Sequence, residues 1–228
     1  MAIKDLAGDE IRLNHQPLSE IVYDKILDLI FSGTLKVDDK INVDELSRIF
    51  KISKTPIREA LKSLEKTGLV ASTPYAGSYV KRLSVEEIQE LYEIRILLET
   101  YAIKKIIQNV TDEDIADLEQ IQSDIEKRLE SPQIKIYKLN RKFHDRIYSI
   151  SKMPKLCEMI GQLWDNLCFF RLLLAGNEDY LQTMVAEHHE YIKTIKDRDE
   201  AKLTYLTVSN LRRHAERIPD LVEQYYNS

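Results

Sequence analysis

The chain of 228 residues is 43% hydrophobic and 31% charged, with a formal charge of −5 at neutral pH. Those values suit one large or two modest globular domains, and no apolar run reaches the ~20 residues that span a membrane. Six Gly and six Pro are few for a turn-rich β protein, and the two cysteines, Cys157 and Cys168, match no zinc spacing.

In chain order, the first dozen residues show no hydrophobic period and read as a mobile arm. They also lack a basic segment followed by an apolar one, so the expected compartment is the cytoplasm. From Leu18, SEIVYDKILDLIFSG sets Ile21, Val22, Ile26, Leu29 and Ile30 at helical spacing and stops at Gly33. TLKVDDKIN then leads into VDELSRIF, a short helix with Leu46, Ile49 and Phe50 inward. In KTPIREALKSLEKTGLV, Thr55 suits the cap of a new helix and Pro56 its first residue, with the end near Thr67-Gly68. LVASTPYAGSYVKRL is β-branched and aromatic around a Pro-Tyr-Ala-Gly turn, which predicts a two-stranded hairpin with Gly77 near its tip. Helix, helix, short turn, helix and hairpin is the order of a winged helix-turn-helix.

From Ser84 the texture changes. SVEE is a capping box, Ser84 with Glu87, opening a long helix to about Gln108. Further helices are predicted at about 112–130, 134–150, 155–175, 178–197 and 199–218. Ser131-Pro132 ends the second, and Pro219 kinks or ends the last. The predicted fold is mainly α: a winged helix-turn-helix with a small β hairpin over 1–82, then an antiparallel all-α bundle of about six helices over 83–228. Cys157 and Cys168 fall on one predicted helix about 16 Å apart, beyond disulfide reach, and are expected to be buried thiols.

The charge is unevenly spread. Residues 46–82 hold eight Lys/Arg against Glu59 and Glu65, a local +6, whereas residues 83–228 are net −6. Within the basic patch Lys54, Arg58, Lys62 and Lys66 recur every four residues, on one helical face. The opposite face carries Ile57, Ala60, Leu61 and Leu64 and suits a core. A basic stripe is often only a solvated face; on a compact basic head attached to an acidic body it suits a polyanion.

DELSRIFKISKTPIREALKSLEKTGLV closely resembles the winged helix-turn-helix signature of GntR-type bacterial transcription regulators. ELYEIRILLETYA (90–102), LNRKFHDRIY (139–148) and AEHH (186–189) resemble the FCD ligand-sensing domain of the FadR-like branch, and six bundle helices point to its VanR-like subgroup. The resemblance covers nearly the whole chain. It implies a homodimeric, ligand-responsive regulator, a repressor released from a palindrome-like double-stranded DNA operator by a small carboxylate. The helix at Thr55-Pro56 would enter the major groove and the wing the neighbouring minor groove. The candidate DNA-contacting residues are Arg48, Ser53, Lys54, Thr55, Pro56, Arg58, Lys62 and Gly77. Arg58 is the best base reader, because a guanidinium offers guanine a bidentate fork. Lys54 stands where the family usually has Arg, keeping the charge without the fork. For Lys62 and Lys66, phosphate contact and a merely solvated face both stay open.

The same resemblance implies a bundle cavity holding a divalent metal such as zinc or nickel. Its ligand positions carry over to Asn140, His144, His188 and Asn210, with His214, one turn after Asn210, as the alternative. Asn140 and His144, four apart, share a helical face. Two neutral amides weaken such a set. That leaves open two further readings: core histidines, or a metal-free pocket in which Asn140 and Asn210 bind the effector directly. Arg95, within YEIRILLE, either pairs with Glu99 one turn on or reaches the cavity to meet a carboxylate; Arg171 poses the same question. The candidate ligand-binding set is Arg95, Asn140, His144, His188 and Asn210, and His189 is expected at the surface.

An enzyme is disfavoured. HHEYIK is not a His-Glu-x-x-His zinc motif, and neither a phosphate-cradling glycine loop nor a nucleophile elbow occurs. A constitutive architectural DNA-binding protein is the main alternative, with a metal-dependent enzyme behind it. Response to a ligand separates the first from a regulator.

Overall fold

The computed structural model describes residues 17–73, 77–82, 84–167 and 178–226. The expected N-terminal arm, the Pro74-Tyr75-Ala76 turn, Cys168 and Arg171 lie outside these residues. The chain divides into two compact units, Met1–Leu83 and Ser84–Ser228.

In the first unit, α1 (Leu18–Phe31) buries Val22, Ile26, Leu27 and Ile30 against α3 (Lys54–Lys66). The apolar face of α3, with Ile57, Ala60, Leu61 and Leu64 buried, completes that core. Between them lies α2 (Val43–Phe50). The Asn42 side chain caps it by accepting from the backbone N–H groups of Asp44 and Glu45. It ends at Lys51, which adopts a left-handed conformation with φ of 54°. Leu46 and Phe50 are buried, whereas Ile49 is only half-buried.

One expectation changes here and another is extended. Helix α3 begins at Lys54 with Ser53 in the cap position, not at Thr55. Thr55 and Pro56 sit inside its first turn, where the missing proline N–H costs no helical hydrogen bond. The predicted hairpin of β2 (Val70–Thr73) and β3 (Gly77–Val80) is present and gains a third strand, β1 (Lys40–Ile41), in the order β1-β3-β2, all pairs antiparallel. Only Ile41 of β1 is buried, so two residues give no visible alternation. Gly77 has φ of 87°, a conformation that favours glycine.

In the second unit, six helices occur among the described residues: α4 (Val85–Asn109), α5 (Asp112–Glu126), α6 (Gln133–Ser149), α7 (Pro154–Asn166), α8 (Glu178–Lys196) and α9 (Glu200–Tyr226). Ser84 and Glu87 form the expected capping box, and Thr111 with Asp114 forms another. Helix α9 packs along α4, and α5 along α6 and α8. Leu118, Phe143, Ile160, Trp164 and Ile195 form the bundle centre. Helix α5 stops at Glu126, short of the Ser131-Pro132 break. Helix α9 runs through Pro219 to Tyr226, because a proline within a packed helix removes one backbone donor without forcing an end. The thiol of Cys157 is half-buried and donates to the Tyr148 carbonyl at 3.2 Å.

Candidate nucleic-acid interface and effector cavity

On the first unit, Arg48, Ser53, Lys54, Thr55, Arg58, Lys62, Lys66 and Gly77 are all exposed. Pro56 is buried, so its role is to seat the helix and not to reach a partner. The stripe carries one carboxylate that composition alone hides. Asp44, in the first turn of α2, pairs with Lys54 at 2.7 Å. The Lys54 ammonium, with Arg58 and Arg48 behind it, holds the Asp44 carboxyl below the usual carboxylate range. Arg48 also donates to the Asp44 carbonyl at 3.4 Å.

Within the second unit, α4, α6, α8 and α9 enclose a cavity lined by Arg95, Glu99, Asn140, His144, His188, Asn210 and His214, with Tyr180, Met184, Glu187, Tyr191 and Leu211 completing the wall. All five residues expected to bind ligand therefore line one void, and so does His214. The space open to water centres is about 20 Å³, little more than one water needs.

Arg95 pairs with Glu99, one of the two readings of its sequence, and also lines the cavity. It is buried to 1% exposure, and its Nε donates to Glu99 at 2.7 Å. Glu99 also accepts from the Tyr148 hydroxyl. Arg95 Cζ lies 4.5 Å from the Trp164 ring centroid, a cation–π contact. One guanidinium nitrogen, NH1, is buried with no hydrogen-bond partner. The Oδ1 of Asn140 is in the same condition. Burial, with Glu99 alongside, drives the Tyr148 phenol well above its ordinary pKa, and burial raises Tyr191 too.

The imidazoles are held by their neighbours. His188 stacks on Phe143 with centroids 3.9 Å apart, and His144 lies edge-on to it at 5.3 Å. His188 Nδ1 meets Gln122 Oε1 at 2.7 Å. His189 is 60% exposed, as expected, and pairs with Glu126 at 2.7 Å.

Asn210 and the wall carboxylates do not fit a divalent metal, whereas Asn140 Oδ1 and the imidazoles of His144, His188 and His214 line the same void as oxygen and nitrogen donors that would fit one. The one atom of Asn210 able to ligate a cation, Oδ1, accepts from Arg213 at 2.7 Å. The Asn210 amide nitrogen reaches Tyr191 at 3.5 Å. The wall carboxylates are engaged as well, Glu99 by Arg95 and Tyr148, and Glu187 by Arg213. Among the described residues no three His, Cys, Asp or Glu side chains are already gathered into a group able to hold a metal ion, so those donors would have to close around one. Arg95 and Glu99 form a neutral buried pair, so they do not by themselves exclude a cation from the void.

Asp44, Gln122 and Tyr148 were not singled out from sequence. Gln122 had a signal: it falls on the stripe of Ile115, Leu118 and Ile125, a polar residue at a core position of α5.

Comparison with known proteins fixes the family. The model for bacterial regulatory proteins of the gntR family matches residues 18–80, and the FCD domain model matches residues 90–217. The chain belongs to the GntR family and carries an FCD domain. It is 27% identical over 204 residues to the uncharacterized HTH-type transcriptional regulator YdhC of Bacillus subtilis, covering 89% of this chain and 91% of that protein. The HTH-type regulator McbR of Escherichia coli is 28% identical, over 83% of this chain and 87% of its own. The gluconate operon transcriptional repressor of Bacillus subtilis is 27% identical, over 88% and 81%. The solved structure of E. coli McbR/YncC superposes with a TM-score of 0.68 at 24% identity, covering 92% of this chain and 99% of that one, and shares the fold. The family and these relatives are transcriptional regulators, not enzymes. This GntR regulator is accordingly a DNA-binding regulator of transcription, and no helix among the described residues is long and apolar enough to cross a membrane.

Proposed function

We propose that this GntR regulator is a cytoplasmic homodimeric repressor that binds a palindrome-like operator through residues 1–82 and is released by a small carboxylate held in residues 83–228. Arg48, Ser53, Lys54, Thr55, Arg58, Lys62 and Gly77 meet DNA, Arg58 reading a base edge and the lysines meeting phosphates. Two-fold symmetry then requires two half-sites. Asn140, His144, His188 and His214 would hold a divalent metal in the effector cavity, with Arg95 beside them to meet the carboxylate. The observation that carries the effector reading is a permanently charged Arg95 in the wall of the void, with one buried nitrogen, NH1, lacking a partner. A carboxylate entering there meets a charge-assisted donor already desolvated. Asn210 acts through its bonds to Arg213 and Tyr191. For the carboxylate to release DNA, it must bind the released arrangement more tightly than the DNA-bound one.

Selection from a random pool of duplex DNA at two salt concentrations tests the DNA reading. A short palindrome should be enriched, with an affinity that falls steeply with salt. A folded dimer that enriches no sequence would overturn it.

A further inference from the structure

The cationic stripe of α3 has a carboxylate at its head. Asp44 belongs to α2, but its Oδ1 lies 2.7 Å from the ammonium of Lys54, the first residue of α3. That end of a recognition helix is where side chains meet base edges. Both side chains are more than half exposed. The backbone of Asp44 is fixed on either side: its N–H donates to Asn42 Oδ1 at 2.9 Å, and its carbonyl accepts from Arg48 at 3.4 Å. Lys54, Arg58 and Arg48 surround the carboxylate and keep it ionised at neutral pH. In that state it only accepts hydrogen bonds. An ammonium donates more than once, so Lys54 can hold Asp44 and meet a phosphate together.

A negative group on the DNA face weakens binding to every sequence, because it repels phosphates and releases no counterions. It is tolerated where a base edge offers it a hydrogen. In the major groove guanine presents O6 and N7 and thymine presents O4, all acceptors that oppose a carboxylate. Cytosine presents its N4 amino group. Adenine sets its amino group beside the N7 acceptor, which opposes the second carboxylate oxygen. We infer that Asp44, held by Lys54 at the head of α3, reads a cytosine in each operator half-site and turns away duplexes that lack it. Exclusion is as much of this role as attraction, since a wrong base leaves the carboxylate facing acceptors. The inference rests on α3 as the DNA-contacting helix and adds a residue of α2 to that surface.

Selection from a random duplex pool tests it, run with the full native chain, Asp44→Asn and Glu59→Gln. Affinity for one fixed duplex of unselected sequence is measured beside it at two salt concentrations. An amide keeps the volume of Asp44 at an exposed site, so the fold is retained. Asn donates as well as accepts, so Asp44→Asn should lose the preference for a cytosine–guanine pair at one position per half-site. The loss should be about 10-fold in relative affinity, the scale of one mismatched base pair. Affinity for the unselected duplex should rise, with a salt slope steeper by about 1 per protomer. Glu59→Gln removes the same charge from an exposed site of α3 off the stripe and should leave every base preference as it is. An Asp44→Asn chain that keeps all the native preferences would overturn the inference and leave the DNA reading standing. So would a Glu59→Gln chain that loses the same position, because net charge alone would then account for the effect. A folded native dimer that enriches no sequence would overturn the inference together with the DNA reading beneath it.

Discussion

Replacing Glu99 by Ala strands the Arg95 cation at 1% exposure and removes the acceptor of the Tyr148 hydroxyl. Breaking one side of a buried ion pair costs about 3–5 kcal/mol, of which the stranded hydroxyl supplies about 1–3. Arg95→Met should cost a similar amount, because it leaves the Glu99 carboxylate buried and forfeits a cation–π contact of about 2 kcal/mol with Trp164. The double variant Arg95→Met/Glu99→Leu removes both charges at once and fills the space with apolar atoms. It should lose less than either single change, since apolar replacements of buried pairs run from neutral to about 4 kcal/mol stabilising. Urea unfolding followed by Trp164 fluorescence reports this directly. Trp164 is the only tryptophan of the chain, lies in the helical unit and stands 4.5 Å from the Arg95 guanidinium. Single variants that each cost below about 1 kcal/mol, or costs that simply add in the double variant, would refute a mutually dependent buried pair.

Arg58→Ala should weaken operator binding and relax one base preference by about 1–3 kcal/mol, measured by repeating the selection; unaltered base preferences would remove Arg58 as a reader. Arg198, at φ of 56°, donates to the carbonyls of Ile107 and Val110, both at 2.6 Å, and closes the C-terminal end of α4. Arg198→Ala should cost about 1–2 kcal/mol and speed exchange of the Val110 amide, which bonds the Ile106 carbonyl; unchanged exchange would contradict that clamp. Tyr191 has a phenol whose pKa is raised in the folded state, so its stabilisation is complete below the ordinary value of 10.0 and lost as pH climbs toward the folded value. Tyr191→Phe should flatten the fall in urea midpoint above pH ~10 while costing under about 1 kcal/mol at neutral pH, its two hydrogen bonds being long; an unchanged alkaline limb would count against it.

The helical texture was legible because its signals are local. The capping box at Ser84 and the apolar spacing of α1 and α3 act within one or two turns. What stayed hidden depended on partners far along the chain. Strand β1 is two residues long and exists only because β3 lies beside it. Pro219 reads as a stop locally, yet the surrounding helix continues to Tyr226. The cavity residues Asn140, His144, His188 and Asn210 were found through family likeness, and the void they share confirms only that they are neighbours. Which of them are already engaged was not legible. The bond from Arg213 to Asn210 joins residues three apart on α9 and has no distinctive spacing. The hold of Gln122 on His188 crosses 66 positions.

The place of β3 between β1 and β2 has a kinetic consequence. Lys40 pairs with Tyr79 and Ile41 with Ser78, so the β1–β3 ladder closes a loop that contains both α2 and α3. A free-standing hairpin could zip up from its own turn in microseconds. This wing cannot be completed until the chain on either side of the two helices has been brought together, which places a non-local contact of high contact order at the heart of the unit. Helix α3 and the wing therefore form one cooperative foldon, and damage to the three-residue run from Lys40 to Asn42 would loosen the far strand as well as the near helix cap.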